Sequence, residues 1–175
     1  MNTKKCTKCG RSLPLTEFGK HKLGINGLNY WCKKCQRENT KHWENTPRGI
    51  YAVIKRRLVY QRKHPKRRGK PKPLTISKED FIEWYNKEIK ICAYCSIPEE
   101  KLLAWNDSHN NKVQRLTIDC IDNNIGYTKD NLVLACLRCN GIKSDIFSHE
   151  TMREIGQKYI RPIWEKEVTK VNKDE

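Results

Sequence analysis

Eight of the nine cysteines fall into four Cys-x-x-Cys pairs: Cys6 with Cys9, Cys32 with Cys35, Cys92 with Cys95, and Cys136 with Cys139. Two thiolates at this spacing converge on one soft cation, and two such pairs complete a tetrahedral zinc site. Pairs this close are poor disulfide partners, which need well-separated segments of suitable geometry. The spacing predicts two zinc ions, one on Cys6, Cys9, Cys32 and Cys35, the other on Cys92, Cys95, Cys136 and Cys139. A closed four-thiolate site is structural, so any catalysis must come from other residues. Cys120 is left without a partner.

The elements that position the last pair lie between residues 115 and 145. Residues 116–121 and 131–135 are apolar and β-branched, Gly126 sits in the polar turn between them, and Cys136-Leu-Arg-Cys-Asn opens a segment that can wind as a helix. The pattern predicts strand, loop, strand and helix. A unit of this size buries too little to stand alone, and a zinc staple back to the Cys92 knuckle supplies the missing stability.

The motif Asp119-Cys120, then Asn131, then Cys136-x-x-Cys139-Asn140-x-x-Lys143 resembles the HNH endonucleases, in particular the zinc-stapled ββα-metal nucleases of phages, which include recombination endonuclease VII. The resemblance covers roughly residues 76–150. It implies that Asp119 and Asn140 hold one divalent ion, Mg²⁺ or Mn²⁺, and that Asn131 pins the loop by bonding to its backbone. In the family a histidine follows the aspartate as the base that activates water. Here Cys120 stands in that place. Carboxylate and amide oxygens suit a hard cation, and a single such ion can neutralise charge on a phosphodiester. Lys143, three residues after Asn140 on the same helical face, is expected to contact the phosphate backbone.

The net charge of +16 is unevenly spread. Residues 1–75 carry 21 Lys/Arg against three acids, and residues 76–175 carry 15 against 17. A cationic arm of this density calls for a polyanion, and DNA, duplex or branched, is the expected partner. With no apolar run approaching 18 residues and a polar start, neither a membrane span nor a signal segment is expected. The reduced cysteine pairs fit a reducing compartment, the cytoplasm of a bacterial host if the chain is phage-encoded.

The fold class expected is small α+β, in four parts. Residues 1–40 are read as a four-cysteine zinc ribbon, with few apolar residues beyond Leu13, Leu15, Phe18, Leu28, Tyr30 and Trp31. Residues 41–75 are read as a basic helix and linker: Thr46 caps a helix over 46–63 with Pro47 first, Ile50, Ile54 and Leu58 on one face, and a Pro-rich tract after it. Arg56, Arg57, Arg62, Lys63, Lys66, Arg67, Arg68 and Lys70 are its candidate phosphate contacts, beside Lys143. The nuclease-like module spans 76–150. It opens with a helix capped by Ser77 and Asp80, whose stripe is Phe81, Ile82, Tyr85 and Ile89, and residues 96–114 are read as loop with His109 in solvent. Residues 151–175 continue a helix that starts at Ser148 and stops at Pro162.

The function this predicts is metal-dependent DNA cleavage, with Asp119, Cys120, Asn131, Asn140 and Lys143 as candidate catalytic residues. A monomer would nick and a dimer would cut both strands. The alternative, motivated by Cys120, is a catalytically weakened nuclease fold that binds nucleic acid.

Overall fold

The computed structural model describes residues 2–68, 71–108 and 115–171. The chain divides into two units, residues 1–53 and 54–175.

Short polar strands build the first unit. β1 (Thr3–Lys5) pairs antiparallel with β2 (Ser12–Pro14), and β3 (Phe18–Lys20) pairs with β4 (Leu28–Cys32) across an irregular register. β4 runs straight into α1 (Lys33–Glu44), so the expected ribbon boundary at residue 40 falls inside a helix. Only Cys35 of α1 is buried, which is why no apolar stripe announced it. The buried core is Cys6, Phe18, Cys32 and Cys35, with Leu13, Leu28 and Trp31 packed on it. A core this small cannot offset chain entropy for some fifty residues without a metal.

α2 (Pro47–Lys63) starts as expected: the Thr46 hydroxyl accepts from the Gly49 amide at 3.2 Å. Ile50 and Leu58 are buried and Ile54 half-buried, while Lys55, Arg56, Arg57, Arg62 and Lys63 are exposed. The tract expected as plain linker contains a further turn of helix, α3 (Pro65–Arg68), because Pro65 supplies a helical φ at its first position. Lys66 is exposed. The side chains of Arg67 and Arg68, all of Lys70, and His109 lie outside the described residues.

In the second unit α4 (Lys78–Lys87) is capped by Ser77, whose hydroxyl accepts from the Asp80 amide at 3.0 Å. Phe81 and Tyr85 are buried and Ile82 is half-buried, but Ile89 lies beyond the helix end and is 75% exposed, so it does not extend the stripe. The Cys92 knuckle follows, tied to the hairpin by the Ala93 amide donating to Leu134 O at 2.8 Å. Residues 99–108, expected as loop, form α5 (Glu99–Ser108). Its buried face mixes Leu102 with a polar residue, Asn106, and that mixture hid the helical period. Trp105 of α5 meets Trp164 edge to face at 5.3 Å, and the Arg138 guanidinium sits 4.0 Å over the Trp164 ring while pairing with Glu167.

β5 (Thr117–Cys120) and β6 (Leu132–Ala135) form the expected antiparallel hairpin, with Thr117 opposite Ala135 and Cys120 opposite Leu132. α6 (Leu137–Lys143) begins at Cys136, whose sulfur accepts from the Cys139 amide. The chain before α4 docks on the hairpin loop: the Tyr127 amide donates to Pro73 O, and Thr75 and Ile76 amides donate to Tyr127 O. Gly126 has a φ of +80° and a Cβ there would fall 2.5 Å from Pro73 O, so only glycine fits.

After α6, α7 (His149–Ile155) is capped by Ser148 as expected and passes through one wide turn, Gly156–Ile160, into α8 (Arg161–Val171). Pro162 therefore does not stop the helix. The Arg161 amide bonds back five residues to Gly156 O, and a ladder widened in this way accommodates a ring without an N–H. The same turn brings Gly156 against Tyr94, where a Cβ would lie 2.6 Å from the Tyr94 backbone. Gly156→Ala is expected to overpack this contact and cost about 1–3 kcal/mol. A thermal melt checks it, and an unchanged melting temperature contradicts the close approach.

Candidate active site

Side chains alternate along β5, so Thr117 and Asp119 share one face of the hairpin. On α6, Asn140 and Lys143 share one face three residues apart. The two faces meet. Asn140 Nδ2 donates to Thr117 Oγ1 at 2.8 Å, Lys143 Nζ lies 3.4 Å from Asp119 Oδ2, and Lys143 Nζ donates to Cys120 O at 2.8 Å. From the knuckle, the Tyr94 hydroxyl donates to Asp119 Oδ2 at 2.7 Å. Tyr94 is itself fixed by Gln157 Nε2, which donates to its carbonyl at 2.7 Å.

Asp119 is 4% exposed and Lys143 1% exposed, so this is a buried ion pair. Each charge depends on the other, because an isolated buried charge is far more costly than a paired one. Burial, then the hydrogen bond to Asp119, pushes the Tyr94 hydroxyl above its usual range, keeping it a donor. Lys143 was expected to contact the phosphate backbone; here it is buried, with its Nζ against Asp119 and the Cys120 carbonyl.

Asn131 is buried and holds the loop on both sides: its Nδ2 donates to Asp122 O at 2.7 Å and to Gly126 O at 2.6 Å, and its Oδ1 accepts from the Asp122 amide at 2.8 Å. Cys120 is fully buried, and burial pushes its thiol up to about 11. At neutral pH such a group is a protonated thiol and a poor proton acceptor. Beside these residues opens a cleft of about 450 Å³ lined by Asp122, Asn123, Lys143, Ser148 and His149 among others. His149 and Tyr94 were not singled out by sequence. Tyr94 lies between two knuckle cysteines and His149 beyond the motif, so only tertiary packing brings Tyr94 to Asp119 and His149 to Tyr94.

The donor set fits a hard cation. Among the described residues both polar contacts of Asp119 fall on Oδ2, and the Asn140 amide nitrogen bonds to Thr117. The cysteines fit zinc. In each quartet the four sulfurs lie within 4.8 Å of one another. Cys6 and Cys35 sulfurs are 3.9 Å apart, and those of Cys95 and Cys136 3.8 Å. A tetrahedral site with Zn–S bonds of about 2.3 Å requires sulfurs about 3.8 Å apart, whereas a disulfide requires about 2.05 Å. All nine cysteines are free, and Cys9 is exposed where the other three of its quartet are buried.

No helix among the described residues is long and apolar enough to cross a membrane. No family model matches the chain, and no curated protein matches it. The chain is similar to a solved structure of PacI, described as a rare-cutting HNH restriction endonuclease, at 27% identity and a TM-score of 0.49, over 93% of this chain and 96% of that chain.

Proposed function

We propose that the chain is a metal-dependent DNA endonuclease of the ββα-metal type, cutting phosphodiester bonds with one Mg²⁺ or Mn²⁺ held by Asp119 and Asn140. The observation that carries this is the seam between β5 and α6, where Asn140 bonds to Thr117 and Lys143 pairs with Asp119. It supports a carboxylate and an amide as oxygen donors on a hairpin and helix joined to a cysteine quartet that could hold zinc, with Lys143 also lining a cleft.

When bound, the ion would neutralise charge on the phosphate oxygens. The chain's own residues set the stage for that chemistry. Tyr94 and Lys143 lock the Asp119 carboxylate in one orientation, Thr117 fixes the Asn140 amide, and Asn131 holds the loop that forms one wall of the cleft. Because Lys143 already balances the charge of Asp119, the site is electrostatically neutral without a metal. Divalent-ion affinity is therefore expected to be weak until DNA phosphate joins the ligand set.

The arm of residues 1–75 supplies affinity. The exposed Arg56, Arg57, Arg62 and Lys63 of α2, with Lys66, and Arg67, Arg68 and Lys70 by sequence, are the proposed phosphate contacts. Each contact removed lowers the log–log salt slope of binding by about 0.9. Replacing Arg56, Arg57, Arg62 and Lys63 with glutamine is expected to weaken binding to all sequences alike and to flatten that slope. Titration of DNA binding at several salt concentrations checks it, and an unchanged slope removes α2 from the interface.

Supercoiled plasmid incubated with the protein and Mn²⁺ or Mg²⁺ tests the function. Nicked or linear product that disappears with EDTA supports it. The second reading, a nucleic-acid-binding protein on a weakened nuclease fold, is favoured by the buried Cys120 and predicts binding without product.

A further inference from the structure

Hydrolysis needs a group that takes a proton from the attacking water, and the residue after Asp119 cannot serve. Cys120 is sealed from solvent, and its main-chain oxygen accepts from Lys143. The cleft wall offers other groups. Asp122, Asp145 and Glu150 are exposed carboxylates. Lys143 is a buried donor committed to Asp119 and Cys120.

His149 differs from all of these. It opens α7, lines the same cleft as Lys143, and packs its ring, tilted by 58°, with its centroid 5.3 Å from that of Tyr94, whose hydroxyl holds Asp119. Its Nδ1 is buried and has no hydrogen-bond partner among the described residues. An unpartnered buried ring nitrogen is costly to keep, and an imidazole is the side chain whose ordinary pKa suits proton transfer near neutrality.

We propose that His149, reaching the cleft from a separate helix, is the general base of this nuclease in place of the buried Cys120. The inference rests on the nuclease reading above. In the step, a water O–H bond breaks and its proton passes to an imidazole nitrogen. The water oxygen bonds to phosphorus as the bond from phosphorus to the leaving oxygen breaks. The leaving alkoxide takes a proton from solvent, and the imidazolium later returns its own to solvent. Burial lowers the pKa of His149 from its ordinary value. Arg153 and Lys143 lower it further, while Glu150 and Asp119 oppose them, so the ring is neutral and able to accept at pH 7.

The test uses the full chain, its zincs in place, on supercoiled plasmid with Mn²⁺. His149→Gln keeps a polar side chain of similar reach that cannot accept a proton. It is expected to slow cleavage about 100-fold or more, with DNA affinity, Mn²⁺ affinity in the presence of DNA and melting temperature all unchanged. Imidazole in the buffer should restore part of the rate to His149→Ala. A rate for His149→Gln within a few-fold of wild type overturns the proposal, and so does loss of Mn²⁺ affinity, which would make His149 a ligand. The wild-type chain gives a measurement independent of folding defects. Its rate should fall as pH drops through the range where His149 protonates, and a rate flat from about pH 5 to about 8 overturns the assignment. A wild-type chain that cuts no DNA refutes the nuclease reading and this inference with it, whereas one that cuts with His149 replaced refutes the inference alone.

Discussion

Serine in place of Cys136 is expected to unfold the second unit and to lower zinc content from two ions per chain to one. Cys136 lies between β6 and α6, its sulfur accepts from the Cys139 amide, and its quartet joins the Cys92 knuckle to the hairpin. Structural zinc contributes folding free energy on the order of 10 kcal/mol, comparable with the whole stability of an ordinary domain. Losing the site also frees Tyr94, between Cys92 and Cys95, and with it the orientation of Asp119. Elemental analysis and circular dichroism read both effects. Two zincs and an unchanged melt would contradict the quartet.

Asparagine in place of Asp119 is expected to abolish cleavage and also to destabilise the second unit by about 3 kcal/mol or more. The destabilisation follows from Lys143, left charged and 1% exposed with no counter-charge. Adding Lys143→Met removes that buried charge, and replacing both members of a buried pair is often neutral or stabilising. The double variant Asp119→Asn/Lys143→Met should therefore regain stability without regaining activity. Thermal melts and plasmid cleavage of the three proteins separate the structural role of the pair from the chemical role of Asp119. Activity in the folded double variant would exclude the carboxylate from the reaction.

The parts legible in the sequence were those set by local rules. Thr46, Ser77 and Ser148 announce helix starts because a short hydroxyl one residue before a helix accepts its orphan amides. Both cysteine quartets follow from pair spacing, and the hairpin from two apolar β-branched runs around Gly126. Longer-range packing was not legible. α5 buries Asn106 beside Leu102, so the face that defines the helix does not read as apolar. Pro162 would end an ordinary helix, and only the widened turn after Gly156 lets α8 continue. Lys143 has the sequence of a solvated surface residue, and nothing local shows that α6 lays it over Asp119. His149 carried one faint signal, its place directly after the Ser148 cap that follows the motif. Its nearness to Tyr94 depends on how α7 returns to the knuckle.

If Asp119 meets the reacting phosphate, the folded double variant must bind DNA and yet leave it uncut. Wild type and Asp119→Asn/Lys143→Met, each shown to hold two zincs and to melt alike, are incubated with supercoiled plasmid and Mn²⁺ at equal DNA occupancy. Product is expected from wild type, abolished by EDTA, and none from the double variant. Equal cleavage by both proteins would contradict that role of Asp119.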